Sequence, residues 1–162
     1  MAVLSSSEIF FTAFEPKQKN RFILYVDGVP SYIIKGISSV GLTQEEITLN
    51  HINVYRKVKG KTKWNDVTMT LYDPITPSGA QAVMEWVRLH HESVTGRDGY
   101  SDFYKKNLTI NVLGPVGDII SEWKIMGAFI TAAEFGDYSW DDDAAAQELS
   151  LTVTMDYCVL NF

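Results

Sequence analysis

The fold of this chain is decided by the segment QELSLTVTMDY, residues 147–157. Leu149, Leu151 and Val153 alternate there with small hydroxyl-bearing residues. Successive side chains of a β-strand point to opposite faces, so apolar residues that recur with a period of two line one face. The segment therefore predicts a strand with one apolar face toward a core and one hydroxyl-rich face toward water.

The same alternation recurs in two other segments, VTMTL at residues 67–71 and LTINV at residues 108–112. Antiparallel sheets commonly have one face on the core and one in water, which produces this pattern. Three such strands predict a sheet whose smooth polar face borders water. A face of this kind is not typical of a sheet that grips a substrate.

Composition narrows the class of protein. At 162 residues and 46% hydrophobic content, the chain is expected to form one domain, residues 1–162, with a real core. A net charge of −6 disfavours direct binding to nucleic-acid phosphates, which is driven by basic residues. The lone Cys158 excludes an internal disulfide framework and fits a reducing compartment. No segment approaches the ~20 apolar residues of a membrane helix, so no membrane insertion is expected.

Turn residues divide the chain into elements, and the sum predicts a mainly β fold: an antiparallel β-barrel or sandwich with one flanking α-helix. Ser78 is the expected N-cap of the helix, because Pro77 and Gly79 surround it and apolar residues at helical spacing follow. The other predicted elements are an N-terminal arm (1–20), a hairpin (21–26 with 31–37), an extended segment (46–58) with a tip at Lys59–Lys61 and a return strand (64–72), and strands at 107–113, 119–125 and 128–132.

Catalytic and metal-binding patterns are not found in the sequence. His51, His90 and His91 lack Cys or carboxylate neighbours at metal-ligand spacing. The glycine-rich phosphate loops and the nucleophile elbow of hydrolases are also missing. The sequence therefore predicts a protein that is not an enzyme and that holds no cofactor or metal.

Charge is distributed unevenly along the chain. A basic hairpin is predicted at residues 53–66, and an acidic loop follows Gly136. One interpretation is a charged hairpin that resists edge-to-edge aggregation. The other is a head-to-tail contact between copies, since a patch and its complement at separate places on one molecule form rings or filaments. The residues of this stacking hypothesis are Arg56, Lys57, Lys59, Lys61 and Lys63 on the hairpin, and Asp137, Asp141, Asp142 and Asp143 in the loop.

Along nearly its whole length the chain resembles the tail tube proteins of contractile-tailed bacteriophages, the T-even-like tube family, which is related to the tubes of type VI secretion and extracellular injection systems. The segments that carry the resemblance are NVYRKV (53–58) through WNDVTMTLYD (64–73), the helix AVMEW (82–86), GAF (127–129), GDYSWD (136–141) and the final strand (149–157). The resemblance implies six-fold rings that stack into a hollow tube inside a contractile sheath.

The resemblance also implies partners and a location. The expected partners are further copies of the chain, the tail sheath, the baseplate and the tail terminator, with viral DNA passing through the lumen without specific binding. The expected location is the tail of a virion that is assembled in the bacterial host cytoplasm. The residues expected to face the lumen are Thr68, Thr70, Glu148, Ser150, Thr152, Thr154 and Asp156.

Three alternatives remain open. The chain could form the inner tube of a phage-derived contractile injection system, or a ring that initiates or terminates a tube. From a different class, a barrel of this size could hold a small ligand. The polar strand faces disfavour that last alternative, because ligand pockets are lined mostly by apolar groups.

Overall fold

The computed structural model describes residues 14–141 and 144–162. The predicted mainly β class with a flanking helix is confirmed within these ranges. A 3-10 helix spans Ser31–Ile33, and the numbered elements are β1 (Phe22–Tyr25), β2 (Ile34–Ile37), β3 (Leu42–His51), β4 (Val54–Trp64), β5 (Val67–Tyr72), α1 (Gly79–His90), α2 (Ser101–Tyr104), β6 (Lys106–Leu113), β7 (Ile119–Glu134), β8 (Glu148–Thr154) and β9 (Tyr157–Asn161). Most of the predicted N-terminal arm, residues 1–13, lies outside the described residues.

Seven strands form one antiparallel sheet in the order β1-β6-β7-β8-β5-β2, with β9 added beside β7. The long strand β7 links the two halves of this sheet. Its first half pairs with β6 and β9, and its second half pairs with β8. Gly127 lies between the halves with a φ of 65°, a left-handed conformation that glycine adopts at little steric cost.

The core contains the apolar faces that the alternation predicts. Side chains at the alternate positions of β5 and β8 are almost fully buried, none more than 1% exposed; they are Val67, Met69, Leu71, Leu149, Leu151 and Val153. Helix α1 adds Val83 and Trp86 to the same cluster. The predicted cap is confirmed, since Ser78 Oγ accepts a hydrogen bond from the Gln81 N–H.

The predicted hairpin of residues 21–26 and 31–37 is wrong. A turn does bring Val29 back to Val26, but β1 pairs with β6, and β2 pairs with β5 at the other end of the sheet. The 3-10 helix at Ser31–Ile33 redirects the chain between the two strands, and it buries Ile33 in the core.

The predicted hairpin tip at Lys59–Lys61 is also wrong. Strands β3 and β4 form a separate two-stranded sheet spanning residues 42–64, and its turn lies at Ile52 and Asn53. Gly60 instead lies within β4, beside a shift in register opposite Glu45. The glycine therefore marks a β-bulge, which is a common use of glycine inside a strand.

Two strand boundaries also differ from the prediction. The segments 119–125 and 128–132 belong to the single strand β7, because Gly127 bends the strand without ending it. The final strand ends at Thr154, and a further strand, β9, follows at Tyr157–Asn161. Asp156 lies in the break between them, where its N–H donates to the Met126 carbonyl.

Candidate assembly surfaces

The β3–β4 hairpin is the most exposed part of the described chain. Every residue of β3 is exposed, and in β4 all but Gly60 and Trp64 are exposed as well. The hairpin meets the rest of the molecule at its root, where Trp64 packs against the core and the Asn65 N–H donates to the Gly41 carbonyl. Beyond its root, this element lacks the packing that usually stabilises a sheet. An isolated two-stranded hairpin is at best marginally stable in water.

Strand register gives this hairpin one apolar face. Residues directly opposite each other on paired strands share a face, and Ile47 lies opposite Val58 while Leu49 lies opposite Arg56. Val54, opposite His51, belongs to the same side. The four aliphatic side chains of this face are between 45% and 61% exposed. The hairpin thus presents to solvent the kind of surface that the other strands bury.

The five basic residues of the hairpin do not lie together. Lys57 and Lys59 lie on the polar face, and Lys57 Nζ is 2.9 Å from Glu46 Oε1. Arg56 lies on the apolar face, and the bulge at Gly60 places Lys61 and Lys63 on that side too, by their register with β3. This division could not be predicted from the regular spacing of the basic residues in the sequence. It follows from the register, which shows that the bulge reverses the alternation of side chains along β4.

The acidic loop joins β7 to β8 and borders two clefts. One, of about 660 Å³, lies within the loop between residues 136–140 and 145–148. The other, of about 460 Å³, lies between the loop and helix α1. Tyr138 lines both clefts, and Trp140 is fully exposed beside them. Asp137 and Asp141 are exposed in this loop.

Among the described residues, no ion pair joins the basic hairpin to this loop within one molecule. Asp142 and Asp143 lie outside the described residues.

The hydroxyl-bearing residues expected at the lumen share one face of the sheet. Thr68 lies opposite Thr152, and Thr70 lies opposite Ser150. The core side of the same strands is buried, so these residues form the outer surface of the β5–β8 pair. Thr154 donates from this surface to Asp66.

The carboxylates of the predicted lumenal set both carry ion pairs. Glu148 Oε1 bonds to Lys35 Nζ, and this hydrogen bond raises the pKa of the lysine. Asp156 Oδ1 is 2.9 Å from Lys105 Nζ, and it lies beyond the end of β8. Local lysines therefore offset part of the negative charge expected on this face.

The structure adds residues to this face that the sequence did not single out. Tyr72 continues the alternation of β5, and Lys35 lies 5.6 Å from its ring centroid. Thr131 donates to the Thr152 carbonyl, and exposed Glu134 pairs with Ser150. The period of two in β5 could have predicted Tyr72 on this face. The residues that β7 adds to the face could not be predicted from alternation, because the register shifts between residues 130 and 132.

The half-sheet that carries the hydroxyl face has two free edges. Strand β2 ends the strand order, and residues 129–134 of β7 pair with β8 on one side. Pairing of β7 with β6 stops at Ala128 and pairing with β9 stops at Met126, so the other side of residues 129–134 has no strand partner within the described ranges. A cleft of about 430 Å³ opens between β1 and β2.

The described residues contain neither a candidate metal site nor a candidate membrane-spanning helix. In residues 14–141 and 144–162, no group of three or more His, Cys, Asp or Glu side chains is arranged to hold a metal ion. The same residues include no helix long and apolar enough to span a membrane.

Sequence comparisons found no match, either to models of protein families or to curated proteins. Solved structures do match. The chain is similar to the anti-feeding prophage cap, described as a tube-terminating cap, with a TM-score of 0.75 and 14% sequence identity over 98% of this chain and 99% of that chain. It is also similar to a chain of the sheath–tube complex of the extracellular contractile injection system PVC in its extended state, with a TM-score of 0.72 and 16% identity over 98% and 99% of the two chains.

A third structure broadens the likeness. Hcp1 from Flavobacterium johnsoniae aligns with a TM-score of 0.54 and 13% identity, over 86% of this chain and 94% of that chain. All three identities are low, so these matches establish the fold. The chain therefore has the fold found in tube and cap structures of contractile injection systems and in Hcp1, as the resemblance to tail tube proteins implies.

Proposed function

We propose that this chain is a structural subunit that assembles with copies of itself into stacked rings, forming the hollow tube of a contractile tail. The observation that carries the proposal is the β3–β4 hairpin, which exposes both of its faces, including an apolar one. A hairpin with so little packing of its own is explained if neighbouring subunits supply the packing.

The energetic argument concerns the aliphatic face of the hairpin. Ile47, Leu49, Val54 and Val58 each retain roughly half of their surface in water. Removing that remaining half from water contributes on the order of 1 kcal/mol per side chain. Contiguous apolar surface of this kind is typical of interaction sites.

The free edges of the hydroxyl-bearing half-sheet support lateral ring formation. Strand β2 at one edge and residues 129–134 of β7 at the other leave backbone groups available for pairing. If the β2 edge of one copy pairs with the β7 edge of the next, a closed ring leaves neither of these two edges free. The resemblance to tail tube proteins implies six copies in that ring.

Charge supports head-to-tail stacking of such rings. Residues 42–64 include five basic and two acidic side chains, although the whole chain has a net charge of −6. The loop at residues 135–147 includes four Asp and no basic residue. Opposite charge at two separate places on one molecule favours an open, repeating contact between copies.

The hydroxyl face then becomes the wall of the lumen. Asp66, Glu134 and Glu148 outnumber Lys35 on this face, so a passing polyanion meets weak repulsion rather than binding sites. Such a wall is compatible with the passage of DNA, although its charge does not distinguish DNA from a protein cargo. A virion tail that also contains a sheath, a baseplate and a terminator is the setting we propose.

Two related assignments stay within the same structural class. The likeness to a chain of a sheath–tube complex supports the inner tube of an injection system, and the likeness to a tube-terminating cap supports a terminator ring. A ligand-binding barrel is disfavoured, because buried aliphatic side chains fill the space between the two halves of the sheet.

Negative-stain electron microscopy of the purified chain over a concentration series tests the proposal. Hollow rings or tubes with a central channel are the expected result. Rings that never stack would assign the chain to an initiator or terminator ring. Monomers that persist at the highest concentration, even when seeded with a cognate baseplate, would overturn the proposal.

A further inference from the structure

The tip of the β3–β4 hairpin combines unfavourable backbone geometry with an exposed apolar side chain. Ile52 has a φ of 50° in the two-residue turn between His51 and Val54, and its side chain is 91% exposed. It is the one residue other than glycine with a positive φ among the described residues. A β-branched residue is disfavoured in this conformation, and two-residue hairpin turns with φ > 0 at the first position favour glycine there.

Within the monomer, this isoleucine is unfavourable in two respects. The backbone is strained relative to glycine, and a large apolar side chain contacts water. Strained conformations that persist in a protein cluster at binding and switch sites. The position is therefore consistent with a side chain that contributes through a contact outside its own molecule.

A groove elsewhere on the chain has the matching chemistry. The cleft of about 460 Å³ beside helix α1 is lined by Ala80, Met84, Phe135 and Tyr138, together with the longer polar side chains Gln81 and Arg88. Four of these six lining residues are apolar or aromatic, which suits contact with an aliphatic side chain.

Charge favours the approach of the hairpin to this groove. The loop that forms one wall of the groove includes Asp137 and Asp141, and the hairpin has a net excess of three basic residues. Arg88 is the basic group on the opposite wall. Of the basic residues on the apolar face, Arg56 lies nearest to Ile52 along the strand, so it approaches the acidic loop together with the tip.

We propose that Ile52 of one copy inserts into the groove between α1 and the acidic loop of a second copy, and that this contact fixes how successive subunits dock. The inference rests on the proposed function, because it names the contact through which the tube subunits join. It also explains why a strained isoleucine occupies a turn that glycine fits better.

The first test separates assembly from folding. Ile52→Gly removes the side chain and relieves the turn, so the thermal midpoint of the monomer should not fall, whereas the concentration needed for tubes should rise about tenfold or more. Ile52→Leu retains an aliphatic tip and should assemble at nearly the wild-type concentration. Unchanged assembly by Ile52→Gly would overturn the inference.

The second test locates the receiving site. A chain with both Ile52→Cys and Met84→Cys, treated with a short bis-maleimide after assembly, should give a ladder of covalent multimers. Native Cys158 is buried, and burial raises its pKa to about 11, so it stays largely unreactive at neutral pH. The control pairs Ile52→Cys with Val94→Cys, whose position is 92% exposed in the loop after α1, and it should give no ladder.

The outcomes also separate this inference from the proposed function. Tubes that form without the ladder from the first pair, or with an equal ladder from the control, would refute the Ile52 contact and leave the tube subunit intact. If the unmodified chain forms neither rings nor tubes, the proposed function fails and the inference fails with it.

Discussion

At the scale of single residues, the C-terminal end of α1 contains a histidine in an unusual position. The Nε2 atom of His90 is buried and has no hydrogen-bond partner among the described residues. Its ring contacts Tyr104 edge-on, with centroids 5.4 Å apart. Burial lowers the pKa of His90, the neighbouring His91 lowers it further, and Asp98 partly opposes them.

This histidine predicts a loss of stability in mild acid. Because the pKa of His90 is lower in the folded chain, the unfolded chain binds more protons as pH falls below the ordinary histidine value of about 6.5. Stability should therefore be full above that value and decline below it. Urea denaturation of the monomer between about pH 7.5 and about pH 5.5 measures the effect.

The matched variants are His90→Phe and His51→Phe. The first should flatten the pH dependence, because the titrating group is removed while an aromatic ring remains against Tyr104. The second is the matched control, because it makes the same substitution at an exposed histidine of the hairpin. An equal slope in wild type and His90→Phe would contradict the role of His90.

The start of α1 shows how far single residues could be predicted. Ser78 was predicted as the N-cap, and it accepts a hydrogen bond from Gln81. No contact with the helix was predicted for Asp73, yet its Oδ1 accepts from the N–H groups of Gly79 and Ala80 at 2.9 and 3.2 Å. A capping serine adjacent to its helix is a local pattern, whereas Asp73 reaches the helix only because residues 74–77 bring the chain back to it.

At the scale of elements, the basic hairpin gives a prediction that the sequence alone could not. If the apolar face of the hairpin is the docking face, removing basic residues from that face should weaken assembly more than removing them from the polar face. Arg56→Gln, Lys61→Gln and Lys63→Gln in one chain should weaken assembly, and the defect should grow smaller at high salt, where the wild-type attraction is also screened.

The matched control removes the charges of the polar face. Lys57→Gln and Lys59→Gln should change assembly little, because Lys57 already pairs with Glu46 and exposed ion pairs contribute only about 0–1 kcal/mol. Light scattering across a concentration series measures both variants. A larger defect in this pair than in the first set would show that the docking face is the other one.

At the scale of the whole molecule, the lumenal hypothesis predicts how a tube handles DNA. Thr152→Lys with Thr154→Lys adds positive charge to the hydroxyl face, on the side of β8 opposite the core. Tubes should still assemble, but they should retain short DNA fragments in a salt-dependent manner, because lysines attract phosphates.

The control for this prediction places two lysines elsewhere. Val94→Lys and Val116→Lys are exposed positions in two loops, and they add the same charge away from the hydroxyl face. Co-sedimentation of tubes with labelled DNA, at low and moderate salt, compares the variants. Equal retention of DNA by both would argue against a lumenal location for Thr152 and Thr154.

The sequence by itself determined which residues face the core and where the long helix begins. Leu149, Leu151 and Val153 are buried because the alternation of a strand is a local property, fixed by the geometry of the backbone. The hydrophobic content of 46% likewise indicated that the chain has enough apolar residues for a packed core.

Only the tertiary structure decided which strands pair and which faces are shared. Strand β1 pairs with β6 rather than β2, and the bulge at Gly60 places Lys61 on the face of Arg56 rather than on the face of Lys57. Pairing depends on burial summed over distant segments, and one extra residue in a strand reverses every side chain after it. For that reason, the assembly surfaces became visible only when the register was known.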